Sequence, residues 1–172
     1  TEIIRELIEE CSVLKYGDYV LKSGEKSEYY IDLKSLVSYP SVVYRIMSNI
    51  SAKLLQDIEK KGVGIDKSEY ILCGVPSGGV FFASVLSIVS GIPMIMIRDK
   101  KKIYGTNKQI EGNYQDKKLI LVEDVITTGT SILEYIDIIH NHEIEISNIV
   151  GILDRQKGGP QNIETSFLEK RL

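Results

Sequence analysis

The sequence has little with which to build a metal cluster, cross a membrane or grip a nucleic acid. Two cysteines occur in 172 residues, Cys11 and Cys73, far apart and without metal-ligand spacing. Cys73 ends the apolar run Tyr70-Ile71-Leu72-Cys73 and reads as a small buried hydrophobe. This usage fits a reducing compartment better than a disulfide framework. No apolar run approaches the roughly 20 residues that span a bilayer. Glu2, Glu6, Glu9 and Glu10 stand near the start with a single basic Arg5, against a secretory leader. A cytoplasmic protein with no membrane partner is expected. Positive charge is not in excess: 21 Lys and Arg face 24 Asp and Glu, for a net charge of -3. Binding a phosphate backbone wants a basic face, so no nucleic-acid partner is expected. A small anion can still occupy a local basic pocket on an acidic protein. His140 and His142 have no ligating neighbours in sequence and read as solvent-exposed. There is no internal repeat and no linker.

What is present suits one α/β domain spanning 1–172. Hydrophobic residues make up 43% and charged residues 26%, as in ordinary globular proteins. Ile3, Ile4, Leu7, Ile8 and Cys11 recur at helical spacing and predict an opening amphipathic helix. Tyr19-Val20-Leu21 and Tyr29-Tyr30-Ile31-Asp32-Leu33 flank a polar, Gly-containing turn and predict a hairpin. Strand alternation would turn one of Tyr29 and Tyr30 toward a core. Pro40 suits the first turn of a helix running to about Lys60, followed by a polar connection. From Tyr70 strands and helices alternate. Strands are predicted at 70–73, 92–97, 119–122 and 146–153, helices at 80–90 and from 127–131 to about 142, and a lysine-rich loop at 99–113. Such alternation implies a mostly parallel sheet covered on both faces.

The most informative segment is Leu121-Val122-Glu123-Asp124-Val125-Ile126-Thr127-Thr128-Gly129-Thr130-Ser131. An aliphatic strand delivers two adjacent carboxylates, and a Thr/Gly/Ser loop then opens a helix. Ligands of open α/β sheets bind at the carboxyl ends of strands. Unpaired N–H groups at a helix start favour an anion, and Gly129 lets backbone approach closely. Glu123 and Asp124 repel that anion and suit sugar hydroxyls or a cationic centre. The plainer alternative is that Thr127 or Thr130 caps the helix and the acids are exposed. Small residues in Cys73-Gly74-Val75-Pro76-Ser77-Gly78-Gly79 likewise let amides approach an anion. No Gly-Lys-Ser/Thr ends that loop, so it is not a nucleotide-triphosphatase P-loop.

The 121–131 segment resembles the phosphoribosyl pyrophosphate (PRPP) signature of type I phosphoribosyltransferases. The resemblance implies that fold, with a small N-terminal hood over about 1–35. It implies that Thr127, Thr128, Gly129, Thr130 and Ser131 hold the 5′-phosphate, and that Glu123 and Asp124 contact the ribose hydroxyls. Three more segments resemble the orotate phosphoribosyltransferases, especially the domain found in uridine monophosphate synthases. Leu21-Lys22-Ser23-Gly24 followed by Tyr29-Tyr30 is similar to their hairpin, which implies a pyrophosphate or orotate contact from Lys22 and an orotate site at Tyr29 and Tyr30. Tyr29 and Tyr30 also read as ordinary strand residues. Ile92-Pro93-Met94…Arg98 through Tyr104-Gly105-Thr106…Glu111-Gly112 is similar to their catalytic loop, implying PRPP contacts from Arg98 and Lys102. By composition alone that loop is a solvated charge run. Gly151-Ile152-Leu153-Asp154-Arg155 is similar to the strand end whose arginine holds the orotate carboxylate. Alone, Arg155 also reads as a surface residue paired with Asp154. Ser77 and Gly78 fall in the pyrophosphate loop.

The sequence departs from the family pattern in places. Asp99 stands where a basic residue is usual, with Lys100 or Lys101 as possible substitutes. Tyr104 stands where bacterial members have histidine and synthase-type members tyrosine. Ser77-Gly78 replaces the bacterial Tyr-Lys. The match runs from about Tyr16 to Gly159 and fades beyond it. No decarboxylase domain accompanies it, which implies a monofunctional enzyme or an excised domain. The resemblance further implies Mg²⁺ held through PRPP rather than by protein ligands, catalytic roles for Lys22, Lys102 and Asp124, and a homodimer. It also implies a place in pyrimidine (UMP) biosynthesis and possible association with a separate orotidine monophosphate decarboxylase. Two alternatives stay open on the sequence. A purine-type phosphoribosyltransferase shares Glu123–Ser131 but gives no reason for the Lys22 hairpin and Arg155. A non-catalytic PRPP-sensing regulator would bind nucleic acid, against the acidic pI of about 5.5.

Overall fold

A computed structural model describes residue 5 and residues 8–20, 24–60, 66–98 and 109–169. Of the opening helix, Arg5 and residues 8–10 are described and are helical. An antiparallel hairpin of β1 (Leu14–Val20) and β2 (Lys26–Ile31) forms its own two-stranded sheet. A 3-10 turn (Leu33–Ser38) then leads into α1 (Pro40–Glu59), with proline in its first turn. The remaining strands are β3 (Tyr70–Gly74), β4 (Met94–Ile97), β5 (Ile110–Glu111), β6 (Lys118–Ile126) and β7 (Ile146–Asp154). They make one sheet in the order β5-β4-β3-β6-β7. The β3–β4, β3–β6 and β6–β7 pairs are parallel, and β4–β5 is antiparallel. Three helices alternate with these strands: α2 (Gly78–Ser90), α3 (Thr130–His140) and α4 (Gly159–Glu169).

Alternation along the strands feeds two cores. Leu72, Ile120 and Val122 pack with Ile46 and Met47 of α1 and Phe82 and Leu86 of α2. Ile71, Cys73, Leu119 and Leu121 pack with Ile132, Ile136 and Ile139 of α3. The β3 and central β6 sequences therefore read as continuous apolar runs, as strands covered on both faces must. Each buried aliphatic side chain contributes about 1.5–3 kcal/mol. Cys11 and Cys73 are both free and buried, and burial pushes the Cys73 thiol up to about 12. No helix among the described residues is long and apolar enough to cross a membrane.

Five features of the fold differ from the sequence expectations or lie outside them. β5 lies within the stretch expected to be a loop. It is two residues long, too short for a periodic signal, and exists by pairing with β4. β6 does not stop at Val122. Its pairing with β3 ends at Gly74–Val122, but its pairing with β7 continues to Ile126–Asp154. Glu123 and Asp124 are thus inside the strand, on a step that outruns β3. α4 occupies a region with no sequence expectation, packing Ile163 and Phe167 into the α3 core. Tyr29 and Tyr30 are both exposed: β1 and β2 pair only with each other, and of the β2 residues it is Ile31 that packs against the core. His142 is half-buried, with its ring edge-on to Tyr114 at 6.4 Å, whereas His140 is exposed.

Candidate active site

The step at the end of β6 forms the floor of a cleft of about 380 Å³. Glu123 is 5% exposed, and its Oε1 accepts from the Asp124 N–H at 3.1 Å. Asp124 is half-buried, and its Oδ1 accepts from the Val125 N–H at 2.9 Å. The rest of its carboxylate takes the space that a side chain on Gly78 would need. Side chains on Gly74 and Gly79 would likewise overlap backbone, of residues 79–80 and of Val122 respectively. The small residues of this loop therefore let it pack on itself and on β6. The Val75 N–H donates to the Val122 carbonyl at 2.8 Å, and the Pro76–Ser77 peptide is cis.

Thr127 to Ser131 continue the wall. Gly129, at φ 84°, is the N-cap of α3, and no side chain caps this helix. The capping role considered for Thr127 or Thr130 does not hold. The Thr128 and Thr130 hydroxyls instead bond to each other at 2.9 Å on the exposed side. The loop is braced from behind by α4. Asn162 Nδ2 donates to the Thr128 carbonyl at 3.0 Å, and Gly129 lies against Ile163 and the Gly159 carbonyl. What the loop presents outward is hydroxyls and the unpaired N–H groups of a helix start, which suit an anion.

The opposite wall comes from the hairpin and the end of β7. Tyr30 lines the cleft, its ring 5.5 Å from Tyr19. Asp32 also lines it and is paired with Lys15 at 2.6 Å. Arg155 enters from β7, with its N–H donating to the Ile126 carbonyl at 2.9 Å. It is half-buried and not paired with Asp154, whose carboxylate accepts from the Gln156 N–H at 2.8 Å. The Arg155 guanidinium lies over the Tyr29 ring at 4.9 Å. Hydrogen bonding and charge from that guanidinium hold the Tyr29 phenol below the ordinary tyrosine range. The Arg155 Nε is buried and has no hydrogen-bond partner. A buried unpaired donor is costly, and a ligand acceptor would satisfy it.

Other residues that the sequence singles out either lie outside the described residues or do not line this cleft. Lys22 and Lys102, with Asp99, Lys100, Lys101 and Tyr104, lie outside the described residues. Arg98 directly follows β4, which β3 separates from β6, and its Nε and Nη2 both reach Glu111 Oε1, at 3.3 and 3.1 Å. Ser77 is exposed at the N-cap of α2, and Gly78 after it lies against Asp124; neither lines the cleft. In turn, Asp32, Lys34 and Glu134 line the cleft without having stood out in the sequence. Their only sequence signal is that Asp32 and Lys34 closely follow the Tyr29-Tyr30 pair.

No group of three or more His, Cys, Asp or Glu gathers as a candidate metal site among the described residues. The carboxylates of Glu123 and Asp124 beside an anion-binding loop suit a sparser arrangement. Mg²⁺ takes one or two carboxylates together with substrate phosphates and keeps several waters. These residues fit an ion that arrives with a phosphorylated substrate.

Residues 43–167 match the model of the phosphoribosyl transferase domain family. The orotate phosphoribosyltransferase of Pyrococcus horikoshii is 39% identical over 95% of this chain and 83% of that protein. The uridine 5′-monophosphate synthase of Caenorhabditis elegans is 35% identical over 94% of this chain, which covers 31% of that longer protein. Among solved structures, the UMP synthase of Leishmania donovani superposes with a TM-score of 0.75 at 26% identity, covering 98% of this chain and 33% of that one. A cleft that joins an acid-bearing strand end, a threonine loop and an arginine whose buried Nε has no partner thus sits on a fold and sequence shared with these proteins, and the chain belongs to the phosphoribosyl transferase domain family, among the orotate phosphoribosyltransferases.

Proposed function

We propose that this chain transfers the phosphoribosyl group of PRPP to N1 of orotate, giving orotidine 5′-monophosphate and pyrophosphate in the de novo route to UMP. The observation that carries this reading is the buried, unpartnered Nε of Arg155 in one cleft with the Glu123–Ser131 segment. A guanidinium is a planar fork matched to a carboxylate, the group that distinguishes orotate from uracil.

Orotate N1 attacks C1′ as the bond to pyrophosphate breaks, with inversion. The pyrophosphate oxygen takes the bonding pair, and the N1 proton passes to water. Positive charge grows on the ribose and negative charge on the leaving group. Fixed charges matched to that separation are usually the largest catalytic contribution. Asp124, held by the Val125 N–H, fixes the ribose with Glu123 beside it. Thr127, Thr128, Gly129, Thr130 and Ser131 take the 5′-phosphate. Lys22, Arg98 and Lys102 neutralise pyrophosphate, with Ser77 and Gly78 beside it. Arg155 takes the orotate carboxylate, with Lys22, Tyr29 and Tyr30 about the ring. An Mg²⁺ ion arriving with PRPP would supply further positive charge to the leaving group, and Asp124 and Glu123 are carboxylates that would help hold it. The same reading makes the chain a single-domain cytoplasmic homodimer with the hairpin as hood, working with a separate decarboxylase. The synthase relative of longer chain length supports that last pairing.

The test is loss of orotate ultraviolet absorbance with PRPP and Mg²⁺, with adenine, guanine, hypoxanthine and uracil as parallel acceptors. PRPP-dependent consumption of orotate alone is expected. Consumption of a purine with orotate inert would overturn the acceptor and leave only the PRPP site.

A further inference from the structure

The charges lining the cleft do not match the substrate proposed for it. Glu123, Asp124, Asp32 and Glu134 face it with carboxylates, against Arg155 and Lys34. Asp32 is neutralised by Lys15. Arg155 is committed to the base wall, over Tyr29. Lys34 is different. It is exposed, and its ammonium makes no hydrogen bond or ion pair among the described residues. The 3-10 turn after β2 carries it to the same cleft as Thr127–Ser131 and the first turn of α3.

We propose that Lys34 binds the 5′-phosphate of PRPP. This rests on the reading of the cleft given above and adds to it a cation for that group. The threonine loop offers hydroxyl and amide donors but no formal charge, and a helix start contributes only about half a charge. A phosphate dianion held there still wants a cation, and Lys34 lines the wall with a long, mobile stem. The leaving pyrophosphate is the less suitable target. Arg98, Ser77 and Gly78, assigned to it, do not line this cleft, whereas Lys34 does. Glu134 lines the cleft too and is not paired with Lys34.

The experiment compares Lys34→Ala, Lys34→Arg and Glu134→Gln with the unaltered chain. KM for PRPP and kcat are measured, together with Kd for orotidine monophosphate, which keeps the 5′-phosphate, and for pyrophosphate, which lacks it. Lys34→Ala is expected to weaken PRPP and orotidine monophosphate about 10-fold each, as loss of a charged hydrogen bond does. Pyrophosphate affinity and kcat should hold, and Lys34→Arg should recover most of the loss. The effect should shrink at high salt, because the site is open to solvent. Unchanged PRPP and orotidine monophosphate affinity would overturn the proposal. So would an equal loss for pyrophosphate, or the same losses from Glu134→Gln, which would place Lys34's action in an ion pair. If the unaltered chain binds PRPP but is inert toward orotate, the acceptor reading fails instead, and direct PRPP binding by Lys34→Ala still decides the role of Lys34.

Discussion

The two walls of the cleft are held in different ways. The wall proposed to hold phosphate grows out of β6, whose residues Leu119 to Val122 are wholly buried between β3 and β7. The base wall is largely the β1–β2 hairpin, which leaves Tyr16 79% and Val20 72% exposed. Two strands alone are marginally stable in water. The hairpin is tied to the strand-end loop by Tyr29 over Arg155 and by the Glu25–Lys157 pair at 3.3 Å. An exposed ion pair of that kind contributes about 0–1 kcal/mol. The contrast shows a division of labour. On the proposed reading, the groups that hold PRPP sit on the central sheet, and of the groups that choose the acceptor Arg155 follows a sheet strand while Tyr29 and Tyr30 sit on the lightly anchored hairpin.

Breaking the sheet should cost most. Leu72→Ala removes a wholly buried side chain from β3 and should destabilise the fold by about 2–5 kcal/mol, whereas Tyr16→Ser on the hairpin should stay within about 0.5 kcal/mol. Urea titration of both variants measures the difference, and equal losses would erase the contrast. Gly78→Ala is the next largest. Its methyl group would displace the Asp124 carboxylate, the movable partner in that contact. Turnover should fall about 100-fold with little change in Tm, since misplacement by about 1 Å can cost that much. Near-normal turnover would remove Asp124's position from the mechanism.

On the other wall, Arg155→Ala should raise the orotate KM about 10-fold or more and spare the KM for PRPP. Equal change in both would mean that the walls are not separable. The smallest effect concerns Tyr29, whose phenol is held below its ordinary value by Arg155. A depressed phenol stabilises the fold only once ionised. Its contribution is full above the unfolded tyrosine pKa of about 10 and is lost as pH falls through the lowered folded value, so none is present at neutral pH. Phenolate absorbance should show one tyrosine titrating early. That early step should vanish in Tyr29→Phe and move upward in Arg155→Gln.

The phosphate wall is largely legible in the amino-acid sequence. Leu119–Val122 reads as a doubly covered strand, and the acids, threonines and Gly129 follow it without interruption. Their juxtaposition is local, so chain connectivity alone delivers it. The end of β6 is not legible, because its last residues are held by β7 and not by β3, which is a matter of pairing. Tyr29 and Tyr30 alternate as expected, yet neither is buried, because alternation states which faces differ and not what covers them. Lys34 has the sequence context of an ordinary surface lysine. Nothing in the periodicity marks α4, although its Asn162 and Ile163 brace the threonine loop.

By itself, then, the sequence determined the βα alternation, the two-sided sheet and the order of acids and hydroxyls along one strand end. These depend on periodicity and on neighbours in the chain. Only the tertiary structure decided that Arg155 stacks on Tyr29 with a buried Nε left unpaired. It also decided that Asp124 occupies the space over Gly78, and that Lys34 and Glu134 line one cleft without pairing. Those placements join segments far apart in the chain, and strand order, step and hairpin docking set them.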